Sequence, residues 1–339
     1  MTNIIIFGGY SSICRNKVFK HLELEHYKFQ SIFAFDKVCI KSSDEYQRYL
    51  LESCLLTDKS FINKFTYIYG EFNIETYKNQ IDNLLQEGTI IYVGTPSICY
   101  PDILNFLQDC KFFCKVILEK PLGTNKQEFI QMREQIDSSI HSIFLCDHYI
   151  YKCQDIIPNI KKDHKRIANI HIELNYSHDV ESRLGYFNRT GLFVDLFQGH
   201  ILWILFELVG KFSDIDLTNI KIVKKQYHNF AGDIEIDTFF KLQFNVNNTF
   251  VTVACGKKMS RDLKFIRVND ISYNIIDCYE YSLLFKDVLI NNSTILTNNY
   301  SNQEAYWDIT EVISMIEKRR RNNRRLENYN IPEKEILIL

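Results

Sequence analysis

Up to Cys146 the sequence alternates short β-branched or aromatic runs with longer segments of helical periodicity, and that alternation limits the folds open to it. The short runs fall at residues 4–7, 31–35, 66–71, 89–94, 115–118 and 142–146. Between them, residues 17–27, 45–55, 74–86, 101–107 and 126–138 place apolar side chains at helix-like spacing. Strands separated by helices are joined by crossovers, and crossovers make parallel sheets. A doubly wound parallel sheet is expected over residues 1–147.

After Asp147 the pattern changes. Helical spacing at 153–162 and an extended run at 169–176 lead to a long helix candidate at 191–209. Strand-like runs follow at 220–227, 237–246, 250–255, 264–268 and 272–276, and a last helical piece at 303–325 ends in KRRRNNRR. These make a second domain, residues 148–339, of mostly antiparallel sheet plus helices, with ligands expected in a cleft between domains. The chain is 339 residues long and 46% hydrophobic, enough for two packed cores.

The formal net charge of -2 provides no long-range field for nucleic acid or an anionic membrane, and the basic C-terminal run reads as a solvated helix end. Ten cysteines are scattered, with Cys110 and Cys114 closest and no pairing that suits zinc, so reduced thiols and a cytoplasmic location are expected. The N-terminus has no basic segment and too short an apolar run for a signal, and no uninterrupted apolar stretch of about 18 residues is present.

The first strand runs into Phe7-Gly8-Gly9-Tyr10-Ser11-Ser12 and then a helical segment. This is where a Rossmann-like turn brings backbone N–H groups and a helix N-terminus to a pyrophosphate. Tyr10 and Ile13 stand where G-x-G-x-x-G has its later glycines. Asp36, ending the second strand, is placed to bond an adenosine ribose and to repel a 2′-phosphate, which favours NAD over NADP. Thr95, Pro96 and Tyr100 follow the fourth strand. Glu119 and Lys120, followed by Pro121, end the fifth, with the lysine aimed at the carboxyl edge of the sheet. Gly8, Gly9, Ser11, Ser12, Asp36, Thr95, Pro96, Tyr100, Glu119 and Lys120 form the candidate cofactor site.

Glu119-Lys120-Pro121-Leu122-Gly123, Asp147-His148-Tyr149-Ile150-Tyr151-Lys152, Gly185-Tyr186-Phe187-Asn188-Arg189-Thr190-Gly191, Asp195-Leu196-Phe197-Gln198-Gly199-His200, Cys255-Gly256-Lys257-Lys258-Met259 and Glu304-Ala305-Tyr306-Trp307 occur in that order. Together they resemble the glucose-6-phosphate dehydrogenase family. The resemblance implies oxidation at C1 of a hexose 6-phosphate, giving a lactone, with His200 as general base, Asp195 orienting its ring and Lys120 holding the sugar. An imidazole near its ordinary pKa suits the proton transfer. By the same resemblance His148, Tyr149, Lys152 and Lys257 are the sugar-phosphate contacts, the substrate-site residue Tyr176 lies near where the family has a sugar-binding glutamate, and the second domain forms a homodimer.

This chain departs from the family at the glycine turn, at Tyr176, at Asn188 and Gly199, and at Asp262, where a basic residue is usual; it is also much shorter. A related sugar phosphate or a sugar of a dedicated biosynthetic pathway is therefore open as substrate. Two further readings stand beside the first: a sugar or nucleotide-sugar oxidoreductase of the glucose-fructose oxidoreductase or inositol dehydrogenase type, and a non-catalytic derivative. The four residues between Asp195 and His200 argue against the former, whose spacing is three.

Overall fold

The structure is a computed structural model that describes residues 2–25, 28–212, 214–227, 231, 236–290, 311–312, 314–316, 318 and 327–329. It divides into two compact units, Met1–Tyr151 with Cys278–Asn302, and Lys152–Asp277 with Gln303–Leu339.

The first unit is built on six strands, β1 (Thr2–Phe7), β2 (Phe29–Asp36), β3 (Phe65–Tyr69), β4 (Ile90–Val93), β5 (Lys115–Glu119) and β6 (Ser142–Cys146). All neighbours pair in parallel, in the order β3-β2-β1-β4-β5-β6. Ile4, Ile5, Ile6 and Phe7 are fully buried, as expected when helices cover both faces of a parallel sheet. The expected helices form, each slightly re-bounded. Ser42, Asn73 and Asn125 accept from the backbone N–H three residues on and so start Ser43–Glu52, Ile74–Gln80 and Lys126–Asp137. The strand order reverses between β1 and β4, the switch point where such sheets bind ligands.

One element of this unit comes from far along the chain. Helix Glu280–Ile290 buries Tyr281, Leu284, Phe285 and Val288 completely, in the same core as Ile4, Phe19, Phe29 and Tyr92. The three aliphatic or phenyl side chains alone contribute on the order of 5 kcal/mol of burial. Lys17 Nζ meets Glu280 at 2.7 Å and His21 Nδ1 accepts from Tyr281 N–H at 2.9 Å. The chain thus returns to its first unit after completing most of the second, a return for which a boundary at 147/148 makes no provision.

The second unit carries a seven-stranded mixed sheet of β7 (Asn169–Asn175), β8 (Ile215–Tyr227), β9 (Phe239–Val246), β10 (Thr249–Gly256), β11 (Leu263–Val268), β12 (Ile271–Asn274) and β13 (Glu327–Tyr329). The order is β12-β11-β7-β10-β9-β8-β13, with β7–β10 and β8–β13 parallel and the rest antiparallel. The long helix expected at 191–209 is not continuous. Gly191 sits at φ 61°, ψ 174°, and helix Leu184–Leu192 gives way to a π-helical segment, Phe193–Ile201, then to helix Leu202–Val209. Buried Asp237 starts the π segment by accepting from Phe193 N–H at 3.0 Å.

Among the described residues one helical run, Leu184–Val209, is long and apolar enough to cross a membrane. Its mean hydropathy is 1.7, but 78% of the window is buried within the protein, the pattern of a core helix. The helix expected at 303–325, with Glu304, Ala305, Tyr306, Trp307 and most of the basic run, lies outside the described residues apart from helical 311–312, 314–316 and 318.

Candidate active site

Gly8 stands at φ +86°, a conformation that disfavours any side chain. A Cβ there would come within 2.8 Å of Gly94 O, so the turns after β1 and β4 close on each other only because position 8 is glycine. Gly8 and Gly9 N–H both donate to Phe35 O, and Tyr46 Oη donates to Gly9 O at 2.6 Å. Ser11 and Ser12 open the helical segment, whose first-turn N–H groups have no intrahelical acceptors.

Asp36 is buried beside this turn and accepts from the backbone N–H groups of Tyr10 (2.8 Å) and Val38 (3.3 Å). Burial pushes its carboxyl above the ordinary carboxylate range, although these donors pull the other way. The Tyr10 residue that replaces a glycine is accommodated because its backbone N–H turns to Asp36 and its ring stacks on Tyr49 at 4.3 Å. Thr95 Oγ1, at the end of β4, is buried with no hydrogen-bond partner. An unsatisfied hydroxyl beside a glycine cradle at the switch point fits a dinucleotide, whose polar groups would complete it.

Tyr100 and Glu119 lie behind the β5 turn. Tyr100 is 1% exposed and donates to Glu119 O at 2.8 Å, while Glu119 Oε1 accepts from Tyr92 (2.7 Å) and Tyr281 (2.9 Å). This arrangement holds the strand end on which Lys120 sits. Lys120 Nζ is 3.1 Å from Asp147 Oδ2, and both side chains are nearly inaccessible. Burial brings the Lys120 ammonium down to about 8, with the Asp147 carboxylate resisting that fall. Asp147 Oδ1 also accepts from Tyr149 N–H at 2.8 Å. His148 is half-buried against Tyr149 and Tyr281, and Tyr149 is buried.

In the second unit the ends of β7 and β10 lie side by side, Gly256 paired with Asn175. Tyr176 N–H donates to Gly256 O, Met259 N–H to Tyr176 O and Lys258 N–H to His178 O, a lattice that fixes Lys257 between the two segments. Lys257 Nζ lies 3.6 Å over the Tyr176 ring and 3.2 Å from His178 Nε2. Burial lowers Lys257 to about 8, opposed by the charge of Asp195. Lys152, also buried, pairs with Asp277.

Asp195 and His200 both lie on the π-helical segment. In an α-helix five residues are about 140° beyond a full turn, on different faces. In a π-helix the hydrogen bond runs from i to i+5, so residues five apart stack on one face. Leu202 N–H bonded to Phe197 O shows that pattern directly. Asp195 Oδ1 accepts from Tyr186 Oη at 2.8 Å, and His200 is 6% exposed.

Several residues in these constellations carry no sequence signal: Tyr46 behind Gly9, Tyr92 and Tyr281 on Glu119, His178 beside Lys257, and Asp237. Asp147, the partner of Lys120, does carry one, since it opens the Asp147–Lys152 motif one strand end over from the lysine.

The family model for the NAD binding domain of glucose-6-phosphate dehydrogenase matches residues 5–156. Glucose-6-phosphate 1-dehydrogenase from Borreliella burgdorferi is 25% identical over 235 residues, 60% of this chain and 48% of that protein. The cytoplasmic glucose-6-phosphate 1-dehydrogenase 6 of Arabidopsis thaliana is 22% identical over 249 residues, with the same coverage. The chain therefore spans about half the length of the curated relatives it matches. Among solved structures, glucose-6-phosphate 1-dehydrogenase from Mycobacterium avium superposes with a TM-score of 0.73 at 13% identity, over 97% of this chain and 93% of that one. The WlbA (WbpB) dehydrogenase from Thermus thermophilus, in complex with NAD and UDP-GlcNAcA, gives 0.66 at 10% identity, over 92% and 94%. At these identities the likeness is one of fold.

Proposed function

We propose that this chain, whose first unit matches the NAD binding domain of glucose-6-phosphate dehydrogenase, is a member of that family and an NAD(P)-dependent dehydrogenase acting on a sugar CH–OH group, oxidising C1 of a hexose 6-phosphate or a close relative to the lactone. The observation that supports the reading is the glycine turn after β1, closed against Gly94 at the switch point with the buried Thr95 hydroxyl beside it, while Asp195 and His200 lie on one buried π-helical segment.

A bound nicotinamide would supply the hydride acceptor. The residues that would hold the dinucleotide are Gly8, Gly9, Ser11, Ser12, Asp36, Thr95 and Pro96, with Tyr100 and Glu119 fixing the neighbouring strand end. His200 takes the proton of the C1 hydroxyl, since hydride cannot leave C1 until that oxygen can form a carbonyl. Asp195 orients the imidazole and stabilises the imidazolium that forms. Lys120, held by Asp147, donates to a sugar oxygen, and Lys152, Lys257, His148 and Tyr149 contact the sugar phosphate. A buried carboxylate at Asp36 favours the free ribose hydroxyl of NAD over the phosphate of NADP.

A second reading, oxidation at another position of a sugar or nucleotide-linked sugar, is supported by the fold likeness to the Thermus dehydrogenase. The test is the rise in reduced-nicotinamide absorbance with the purified chain, glucose 6-phosphate, and NAD or NADP in parallel. Reduction with glucose 6-phosphate supports C1 oxidation. Reduction only with other sugars transfers support to the second reading, and failure with every sugar overturns both.

A further inference from the structure

The two residues that lead into β9, Asp237 and Thr238, are wholly buried although one carries a carboxyl and the other a hydroxyl. Buried polar groups are tolerated when they are hydrogen-bonded, and the bonds of this pair reach two separate parts of the candidate site. Asp237 Oδ2 accepts from Phe193 N–H at 3.0 Å, and Asp237 O accepts from Leu192 N–H at 3.1 Å. Both N–H groups lie just beyond the break at Gly191, where the π-helical segment bearing Asp195 and His200 begins. Thr238 serves the other part. Its O accepts from Lys257 N–H at 2.9 Å, its N–H donates to Lys225 O at 3.0 Å, and its Oγ1 accepts from Tyr227 N–H at 2.9 Å. Gln226 Nε2 donates to Ile236 O at 3.1 Å, so the end of β8 holds the residues on either side of Asp237.

We propose that Asp237 and Thr238 are positioning residues that set the separation between His200 and Lys257, and with it the distance the substrate must have between its oxidised carbon and its phosphate. This rests on the sugar-phosphate reading and deepens it to a selection by substrate length. A π-helical turn is a rare geometry in competition with the tighter i→i+4 pattern, and it persists where surrounding contacts hold it. Two acceptors on its first N–H groups favour the observed start, and a carboxylate at a helix start also meets the positive end of the helix dipole. Without the carboxylate the segment can rewind toward α geometry, which turns every later residue, His200 included, about the helix axis. The link to Lys257 is short. Asp237 and Thr238 share one planar peptide unit, so a shift of the first displaces the carbonyl that holds the lysine backbone.

Calorimetric titration of the full chain with glucose 6-phosphate and with ribose 5-phosphate, one carbon shorter, tests this. The wild type should bind the hexose phosphate at least about 10-fold more tightly, and Asp237→Ala and Thr238→Val should bring the two affinities to within about 3-fold, since small misplacements of positioned groups have large effects. Asp237→Asn and Thr238→Ser, which keep an oxygen acceptor, should retain the wild-type ratio. The imidazole proton resonances of His200, identified by their loss in His200→Asn, should move in Asp237→Ala and stay in place in Asp237→Asn. Melting curves show which variants are folded. If the alanine variant does not fold, Asp237→Glu carries the test, because it keeps the carboxylate but displaces it by a methylene and should change both the ratio and the resonances. Folded Ala, Val or Glu variants with the wild-type ratio and unmoved His200 resonances overturn the proposal, as does an equal loss of affinity for both sugars. Cofactor reduction with the same sugars separates the two claims. A length preference that the variants lose, without any reduction, leaves the positioning pair and removes the dehydrogenase. Reduction by glucose 6-phosphate with a ratio that the variants keep does the reverse, and a wild type that binds neither sugar overturns both.

Discussion

Lys120 and Asp147 face each other at 3.1 Å from the ends of adjacent parallel strands, each with its side chain almost wholly withdrawn from water. Register makes the pair. β5 and β6 run parallel with Glu119 opposite Cys146, so the next residue on each strand carries one half of the ion pair. The lysine that the proposed reaction needs as an ammonium is thereby held in its charged form within a site that works against charge.

That balance has a consequence in pH. Burial brings both Lys120 and Lys257 down to about 8, from an ordinary value of about 10.4. Turnover that depends on these ammoniums should fall as pH rises through about 8. Asp147→Asn removes the charge that supports Lys120 and should move that limb to lower pH, whereas Lys257→Arg should remove the Lys257 contribution. Stability follows the opposite sign. Between about 8 and 10.4 the unfolded chain binds more protons at these sites than the folded one, so their contribution to stability improves as pH rises. Rate profiles and melting curves across pH 6–10, with both variants, check both signs.

Gly8→Ala places a methyl group against Gly94 O in a backbone conformation that L residues avoid. The left-handed conformation alone costs about 1–2 kcal/mol, and the contact with backbone adds to it. The melting temperature should drop by several degrees, and dinucleotide binding measured by fluorescence quenching should weaken at least 10-fold. Unchanged binding would remove this turn from the cofactor site.

Asp36→Ser should shift the ratio of NADP to NAD utilisation upward by at least 10-fold, because it removes a buried carboxylate from the point a 2′-phosphate would approach. It also removes the acceptor for Tyr10 and Val38 N–H, at about 1–3 kcal/mol per buried group left unsatisfied. The cofactor ratio is therefore read together with a melting curve.

Tyr281→Phe tests the tie between the returning helix and the β5 end. It deletes one hydrogen bond to Glu119 and keeps the ring, and should destabilise by about 1 kcal/mol in chemical denaturation. If the bond positions the Lys120 strand end, KM for the sugar should rise while the Tyr92→Phe, Tyr281→Phe double variant shows a larger effect than either alone.

Much of the first unit was legible because its pattern is local. Fully buried runs such as Ile4–Ile5–Ile6–Phe7 and polar caps such as Ser42 and Asn73 mark strands and helices in the sequence itself. The return of helix Glu280–Ile290 was not legible, since its apolar face reports that it is buried but not in which core. Periodicity also misjudged residues 193–201. A reading based on 3.6 residues per turn takes 191–209 as one helix, whereas the backbone breaks at Gly191 and residues 193–201 follow the i→i+5 pattern. His178 belongs to no motif, and its significance comes from a 3.2 Å approach between strand ends far apart in sequence. The lone Thr95 hydroxyl is likewise visible only once its surroundings are known to lack a partner.

The most direct test of the central claim is the steady-state rate of nicotinamide reduction by the wild-type chain and by His200→Asn, with glucose 6-phosphate as the first sugar. Loss of a general base that sits on the reacting oxygen predicts a fall in kcat of at least about 100-fold, with KM for sugar and cofactor little changed and the fold intact by circular dichroism. A His200→Asn protein that reduces cofactor at the wild-type rate would contradict the assignment.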